Sequence, residues 1–281
     1  MAAVPLSLLV ALLWGTADFI GALLSRRNPV PSVMVIFFGV GLALPLAVGL
    51  ATGEPLPPPR AIVLALAGGT LGAAGLGCFY VAMARGKVGV VAPIAASGVA
   101  IPVVVGLAGG DTLATVVAIG MALAVAGIIL ASVEGSEEEL HEDTSGGRRV
   151  VAIALLAAAG FGCFLVFTRP AYEESILWTL VFARALAFPA FLAVVLARRL
   201  PMPEPRDAGL AALGGSFDLV ATVLVGLALD TGALSLVAVL TALYPVVAGL
   251  LAFALLKERL RPVQFAGATL ALGGVLLIVA G

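Results

Sequence analysis

The chain is a succession of long apolar runs separated by short polar breaks. A helix that crosses a hydrocarbon core of about 30 Å needs about 20 apolar residues. The runs are continuous rather than alternating, and each is too long for a strand of a membrane β-barrel. The pattern therefore predicts ten transmembrane helices, at Val4–Leu24, Ser32–Ala51, Ala61–Ala84, Val88–Ala108, Thr112–Ser132, Val150–Thr168, Ser175–Leu196, Asp207–Leu229, Gly232–Leu255 and Val263–Ala280.

The composition agrees with this pattern. Of 281 residues, 62% are hydrophobic and 11% are charged, whereas a soluble domain has about 45–50% apolar and about 25% charged residues. We therefore predict an all-α integral membrane protein in a lipid bilayer. The net charge of -1 argues against nucleic acid as a partner. The single histidine, His141, lies in an acidic segment, so we expect no metal site.

One polar break is long enough to be a linker. Residues 134–149 read EGSEEELHEDTSGGRR, acidic and then glycine-rich, which is typical of a disordered segment. This linker divides the chain into residues 1–133 and residues 150–281, with five predicted helices in each half.

The two halves carry the same pattern. Pro102 and Pro245 lie at matching places in two proline-interrupted apolar segments, 85–107 and 228–250. Because each half has an odd number of helices, the second half must enter the membrane from the opposite side. We therefore predict two inverted five-helix repeats, an arrangement typical of transporters with a binding site near the bilayer midplane.

Lysine and arginine are distributed unevenly over the predicted loops. The loops after helices 2, 4, 6 and 8 hold only Arg60 and Arg169. Those after helices 1, 3, 5, 7 and 9 hold 12 of the 15 cations: Arg26, Arg27, Arg85, Lys87, Arg148, Arg149, Arg198, Arg199, Arg206, Lys257, Arg259 and Arg261. Positive loops stay in the cytoplasm. The distribution predicts a multi-pass protein of the cell (inner) membrane with both termini extracytoplasmic.

Several short motifs carry a family resemblance. They are Leu13-Trp14-Gly15, Tyr244-Pro245, the LKERL segment 256–260, and the segment from Gln264 to Gly274. In this order the chain resembles the EamA-type branch of the drug/metabolite transporter superfamily. The resemblance implies ten helices from two repeats, with helices 1, 3, 4, 6, 8 and 9 around a central cavity. Asp111 stands where the family often has a Glu-containing turn like that at Glu258, and the family is usually drawn with cytoplasmic termini.

Three ionisable residues lie well inside the predicted spans: Asp18, Arg184 and Asp218. A charge at the bilayer centre costs about 2.5–3.5 kcal/mol on insertion scales, so each is a functional candidate. Asp18 lies one helical turn after Trp14, and a carboxylate beside an indole suits an amine or another cation. Asp18 could equally bind and release a proton, or be hydrated and paired with Arg26 or Arg85.

Arg184 and Asp218 lie near the middle of helices 7 and 8 and could pair with each other. Such a pair could be a structural tie, or a gate that opens when substrate or a proton takes one partner. Alternatively, Asp218 is free in the cavity and binds a proton or substrate.

Other candidates carry no charge. The resemblance favours Trp14, Tyr80, Phe161 and Tyr244 as cavity residues, although most aromatic residues of membrane helices only pack. Ser97 and Thr241 could hydrogen-bond substrate, or donate to carbonyls of their own helices. Pro102 and Pro245 each remove an intrahelical hydrogen bond, so each marks either a hinge or a static kink.

No Walker loop, HExxH motif or nucleophile elbow occurs, so we expect neither an enzyme nor an ATP-driven pump, and no cofactor. The leading prediction is a secondary transporter working by alternating access. It would export small organic metabolites such as amino acids, amines or drugs, with Asp18 or Asp218 exchanging a proton for substrate. The oligomeric state would be a monomer or a homodimer. A lipid-carrier flippase or membrane scaffold subunit is the alternative, and a channel is a third possibility.

Overall fold

The structure is a computed structural model that describes residues 2–85, 91, 94–132, 144–256 and 262–280. Within these ranges the chain is helical and contains no strand. The ten helices are α1 Ala3–Ser25, α2 Val30–Thr52, α3 Pro59–Arg85, α4 Ile94–Ala108, α5 Thr115–Ser132, α6 Thr144–Tyr172, α7 Ile176–Ala197, α8 Pro205–Thr231, α9 in two parts, Leu234–Thr241 and Tyr244–Leu256, and α10 Pro262–Ala280. The ten predicted helices are therefore confirmed. The start of the fourth predicted span, His141 and the Lys257–Glu258 turn lie outside the described residues.

Seven of the described helices are long and apolar enough to cross a membrane: α1, α2, α3, α6, α7, α8 and α9. Helices α4, α5 and α10 have shorter apolar stretches. Large apolar side chains such as Leu50, Leu196, Phe265 and Leu276 lie exposed on the outer surface. A lipid bilayer accounts for this exposure, because hydrocarbon is as apolar as these side chains.

Helix α6 begins earlier than expected. The predicted linker extends to residue 149, but the helix already starts at Thr144. A helical turn can project beyond the apolar core because its backbone hydrogen bonds are made within the segment. The end of the predicted linker is therefore the first part of α6.

Glycines allow the helices to pack closely in antiparallel pairs. A Cβ added to Gly120 of α5 would lie 2.7 Å from the carbonyl oxygen of Gly274 in α10, and one on Gly127 would lie 2.7 Å from that of Gly267. The contact residue in α10 moves from Gly274 back to Gly267 as the contact residue in α5 moves from Gly120 on to Gly127. The two helices therefore run in opposite directions. Small residues at such contacts are typical of membrane helices.

Two further antiparallel pairs link the halves. Helix α3 packs on α6, with Gly68 against Thr168 and Gly75 against Gly160. Helix α1 packs on α8, since the Asn28 side chain just after α1 donates a 2.8 Å hydrogen bond to Asp207 at the start of α8, while Ala3 contacts Gly232 at its end. The long helices of each half thus pack mainly against helices of the other half.

Helices α4 and α9 are irregular just before their prolines. A 3₁₀ turn at Ser97–Val99 precedes Pro102 in α4, and residues 242–243 form a break before Pro245 in α9. Proline has no N–H to donate to the carbonyl four residues earlier, and its ring crowds that carbonyl. The paired prolines of the sequence therefore mark paired irregularities in the fold.

Candidate solute-binding cavity

A cavity of about 120 Å³ lies among α1, α2, α3, α4, α6, α7, α8 and α9. A buried water needs about 10–15 Å³ of cavity volume, so the space is large enough for several waters or a small solute. Eight of the predicted site residues line it: Trp14, Asp18, Pro102, Phe161, Arg184, Asp218, Thr241 and Tyr244. The residues singled out in the sequence are thus largely brought together at one place.

Three predicted residues do not line the cavity. Tyr80 is fully buried behind it, and Pro245 lies one residue beyond the lining residue Tyr244. Ser97 is exposed and donates a 2.6 Å hydrogen bond to the carbonyl of Ile94 in its own helix. Of the two interpretations of Ser97, the structure therefore has the internal hydrogen bond.

Asp18 of α1 is joined to α3 by Tyr80, whose hydroxyl donates a 3.3 Å hydrogen bond to Oδ1. Gly21, one turn further along α1, makes room for the Tyr80 ring, because a Cβ there would overlap the phenol. No cationic side chain of the described ranges pairs with Asp18. The ion pair with Arg26 or Arg85, one of the alternatives, is therefore absent.

Arg184 and Asp218 form the pair that the sequence suggested. Nη2 of Arg184 lies 2.7 Å from Oδ2 of Asp218 and donates a second, 3.2 Å hydrogen bond to the Thr222 hydroxyl. That hydroxyl in turn donates to the carbonyl of Asp218 at 2.6 Å. Arg184 is only 3% exposed, and Gly41 of α2 leaves the space that its side chain occupies. The guanidinium thus joins α7 to α8 through Nη2, while its buried Nε has no hydrogen-bond partner among the described residues.

Thr222 was missed by sequence reasoning, although a signal was present. It lies four residues after Asp218, which places both side chains on the same face of α8, and it also lines the cavity. A hydroxyl one turn from an intramembrane acid is a natural second acceptor for the arginine that binds that acid.

Aromatic rings form much of the remaining wall. The rings of Trp14 and Phe164 meet edge to face with centroids 6.2 Å apart, and Phe161 and Tyr244 do the same at 6.2 Å. The Tyr244 hydroxyl is buried and has no hydrogen-bond partner within the described part of the chain. A buried hydroxyl normally has a partner, so this group is available to a solute or a water.

The Trp14-Gly15 motif has a physical explanation in this wall. A Cβ on Gly15 would lie 2.6 Å from the carbonyl oxygen of Tyr244 and 2.6 Å from Cβ of Val247. Glycine at this position lets α1 touch the backbone of α9 beside its break, which places Trp14 and Tyr244 on the same cavity.

A bundle of apolar helices around a cavity lined by charged and aromatic side chains is an architecture typical of membrane transport proteins. Residues 1–133 and 148–280 match the model of the EamA-like transporter family, and the chain belongs to that family. The predicted resemblance to drug/metabolite transporters is thereby confirmed.

A solved structure titled "Crystal structure of protein" has the same fold. Its TM-score is 0.74 at 18% sequence identity, and the match covers 96% of this chain and 98% of that chain. At this identity the likeness concerns the fold alone. No curated protein matches the sequence.

Proposed function

We propose that this protein is a secondary active exporter of small organic metabolites such as amino acids, amines or drugs, driven by proton exchange through alternating access. The observation that carries the proposal is the hydrogen-bonding environment of Asp18. This carboxylate lines the cavity, and within the described residues its side chain accepts a hydrogen bond from a neutral phenol rather than pairing with a cation.

Alternating access requires two halves that can exchange roles, and the helix pairs support an inverted repeat. Helices α5 and α10 are the last helices of their halves, and they pack on each other in opposite directions. Helix α3, the third of the first half, packs on α6, the first of the second half. In the same way α8, the third of the second half, packs on α1, the first of the first half. An inverted repeat produces this correspondence.

Asp18 supports exchange because a protonated carboxyl group has lost the negative charge that attracts a cation. Proton and cation therefore compete for this side chain. Trp14 lies one turn away on α1, and an aromatic face attracts cations by its quadrupole. We propose that a proton entering from outside displaces the substrate from Asp18, and that the cytoplasmic substrate displaces the proton in the other orientation.

The pair of Arg184 and Asp218 serves as a tie between α7 and α8 in this proposal. Its short distance and burial favour a permanent contact, and leave Asp18 as the acid that exchanges. Opening of this pair by substrate would instead make Asp218 a second exchange site.

The test is transport by proteoliposomes of the purified protein with an imposed pH gradient. We expect metabolite uptake to follow the gradient in the wild type, and Asp18→Asn to abolish that dependence. Asp230→Asn is the matched control, because Asp230 is exposed at the end of α8 and should change nothing. Uptake that ignores the gradient in all three proteins would refute proton exchange.

A further inference from the structure

The charges of the cavity can be counted. Its described lining contains two carboxylates, Asp18 and Asp218, and one guanidinium, Arg184. A guanidinium remains protonated in proteins. With both acids ionised, the described lining therefore has a formal charge of one negative unit.

The one positive charge is already committed. Arg184 contacts Asp218 at 2.7 Å and also donates to Thr222. Breaking a buried pair leaves an uncompensated charge in a low-dielectric environment. The pair therefore contributes no net charge, and the uncompensated unit belongs to Asp18.

The neighbours of Asp18 do not supply the missing charge. The titratable groups that face it are Tyr80 from α3, Asp218 from α8 and Tyr244 from α9. Helices α2 and α6 present rings, such as Phe38 and Phe161, to the same cavity. Within the described structure, a second positive charge must come from solution.

We infer that the cavity exchanges one proton for one monovalent organic cation, so that transport is electroneutral. This inference rests on the proposed function and narrows its substrate class to amines and quaternary ammonium ions. Among the described lining residues, a carboxylate on the substrate would meet no cation other than Arg184, which already pairs with Asp218.

The charge balance also explains how coupling would arise. When Asp18 releases its proton to the aqueous side, its carboxylate binds the cation, and the cavity is neutral in both loaded states. The empty, ionised cavity keeps one negative charge in a low-dielectric environment, which disfavours its movement across the membrane. Only the two loaded states would then reorient.

The first test uses benzyltrimethylammonium, a permanent cation that has no proton of its own to lose. At pH values low enough to protonate Asp18, we expect the affinity of the wild type for the cation to fall about tenfold for each unit by which the pH is lowered. This slope corresponds to one proton displaced per cation bound. Asp18→Asn should remove this dependence and Asp230→Asn should keep it. A fall of about a hundredfold per unit, equal binding of neutral neopentylbenzene, or no binding of the cation would overturn the inference.

A second variant, which keeps the charged residues of the cavity, controls for misfolding of Asp18→Asn. Tyr80→Phe removes only the neutral donor to Asp18, so it should still show the tenfold dependence. Loss of the one-proton dependence in well-folded Tyr80→Phe would overturn the inference, because the charge count would then not set the stoichiometry.

The second test separates the inference from the proposed function. In proteoliposomes, a tenfold proton gradient should accumulate benzyltrimethylammonium about tenfold, and a tenfold potassium gradient with valinomycin should leave this ratio unchanged. Movement of one net charge would instead shift the ratio about tenfold. Such a shift overturns one-for-one exchange while proton coupling stands, whereas indifference to the proton gradient overturns both.

Discussion

At the scale of single residues, the cavity combines one tightly paired acid with one whose partner, among the described residues, is a neutral donor. Asp218 has Arg184 at 2.7 Å, while Asp18 has Tyr80 at 3.3 Å. The same residue type therefore occurs in two environments, set by what the neighbouring helices supply. In the proposed function, the paired Asp218 ties α7 to α8, and Asp18, which has no cationic partner among the described residues, binds the ligand.

The tie can be tested through stability. Asp218→Asn leaves the Arg184 guanidinium buried without its counter-ion, and we expect it to destabilise the protein by roughly 3–5 kcal/mol. The measurement is denaturant unfolding in detergent micelles. The double variant Arg184→Met/Asp218→Leu should recover most of the loss, because it leaves no unpaired charge. Equal stability of Asp218→Asn and wild type would contradict the tie.

At the scale of helices, glycines decide how closely the elements approach. Gly15 brings α1 against the backbone of α9 next to its break. Since a backbone carbonyl cannot rotate away as a side chain can, an added methyl group there must displace a whole helix. The Trp14-Gly15 motif thus joins the element that carries Asp18 to the interrupted helix.

Gly15→Ala should therefore destabilise the protein by about 1–3 kcal/mol, the usual cost of overpacking, and should weaken benzyltrimethylammonium binding. Gly249→Ala in α9 is the matched control, because no atom of the described residues lies within 4 Å of its added Cβ. We expect its effect to stay within about 0.5 kcal/mol. Similar unfolding curves for the two variants would show that the Gly15 contact does not restrict packing.

The start of α9 is held by a loop from the other half. Oδ2 of Asp111, between α4 and α5, accepts hydrogen bonds from the backbone N–H of Ser235 at 2.9 Å and from its hydroxyl at 2.7 Å. A carboxylate is favourable at a helix N-terminus because it satisfies free N–H groups and meets the positive end of the helix dipole. Asp111 thus caps the interrupted helix.

Asp111→Ala should cost about 0.5–2 kcal/mol, as loss of a cap does, and should accelerate amide hydrogen exchange in the first turn of α9. Asp111→Asn keeps an acceptor and should lose less. Glu173→Ala is a suitable control, since its ion pair with Arg169 is 3.7 Å long and its side chain is 59% exposed; such pairs contribute about 0–1 kcal/mol. Unchanged exchange in Asp111→Ala would refute the capping role.

At the scale of the whole molecule, the distribution of charge predicts the orientation in the membrane. The 12 cations on one side of the predicted topology, against two on the other, predict that both termini are extracytoplasmic. The direction of export in the proposed cycle depends on this assignment.

Cysteine labelling tests the orientation. In a variant with Cys78 and Cys163 replaced by alanine, a cysteine at Pro57, between α2 and α3, should react with an impermeant maleimide in intact cells. A cysteine at His141 in the linker should react only after permeabilisation. The reverse pattern would show that the termini are cytoplasmic and that the charge bias does not set the topology.

The sequence by itself determined the helices, the family and most of the candidate residues. Apolar run length and the cost of an intramembrane charge are local properties, so both can be evaluated without knowing the packing. The early start of α6 escaped this reasoning, because a polar helical turn outside the bilayer has the same composition as a linker.

Only the tertiary structure decided which residues act together. Helical spacing shows which face a residue lies on, but not which helix that face meets. The contacts of Asp18 with Tyr80, of Gly15 with Tyr244 and of Asp111 with Ser235 all join positions far apart in the chain. These contacts depend on how the two halves pack, and that packing is set by small residues and backbone shape rather than by hydrophobicity.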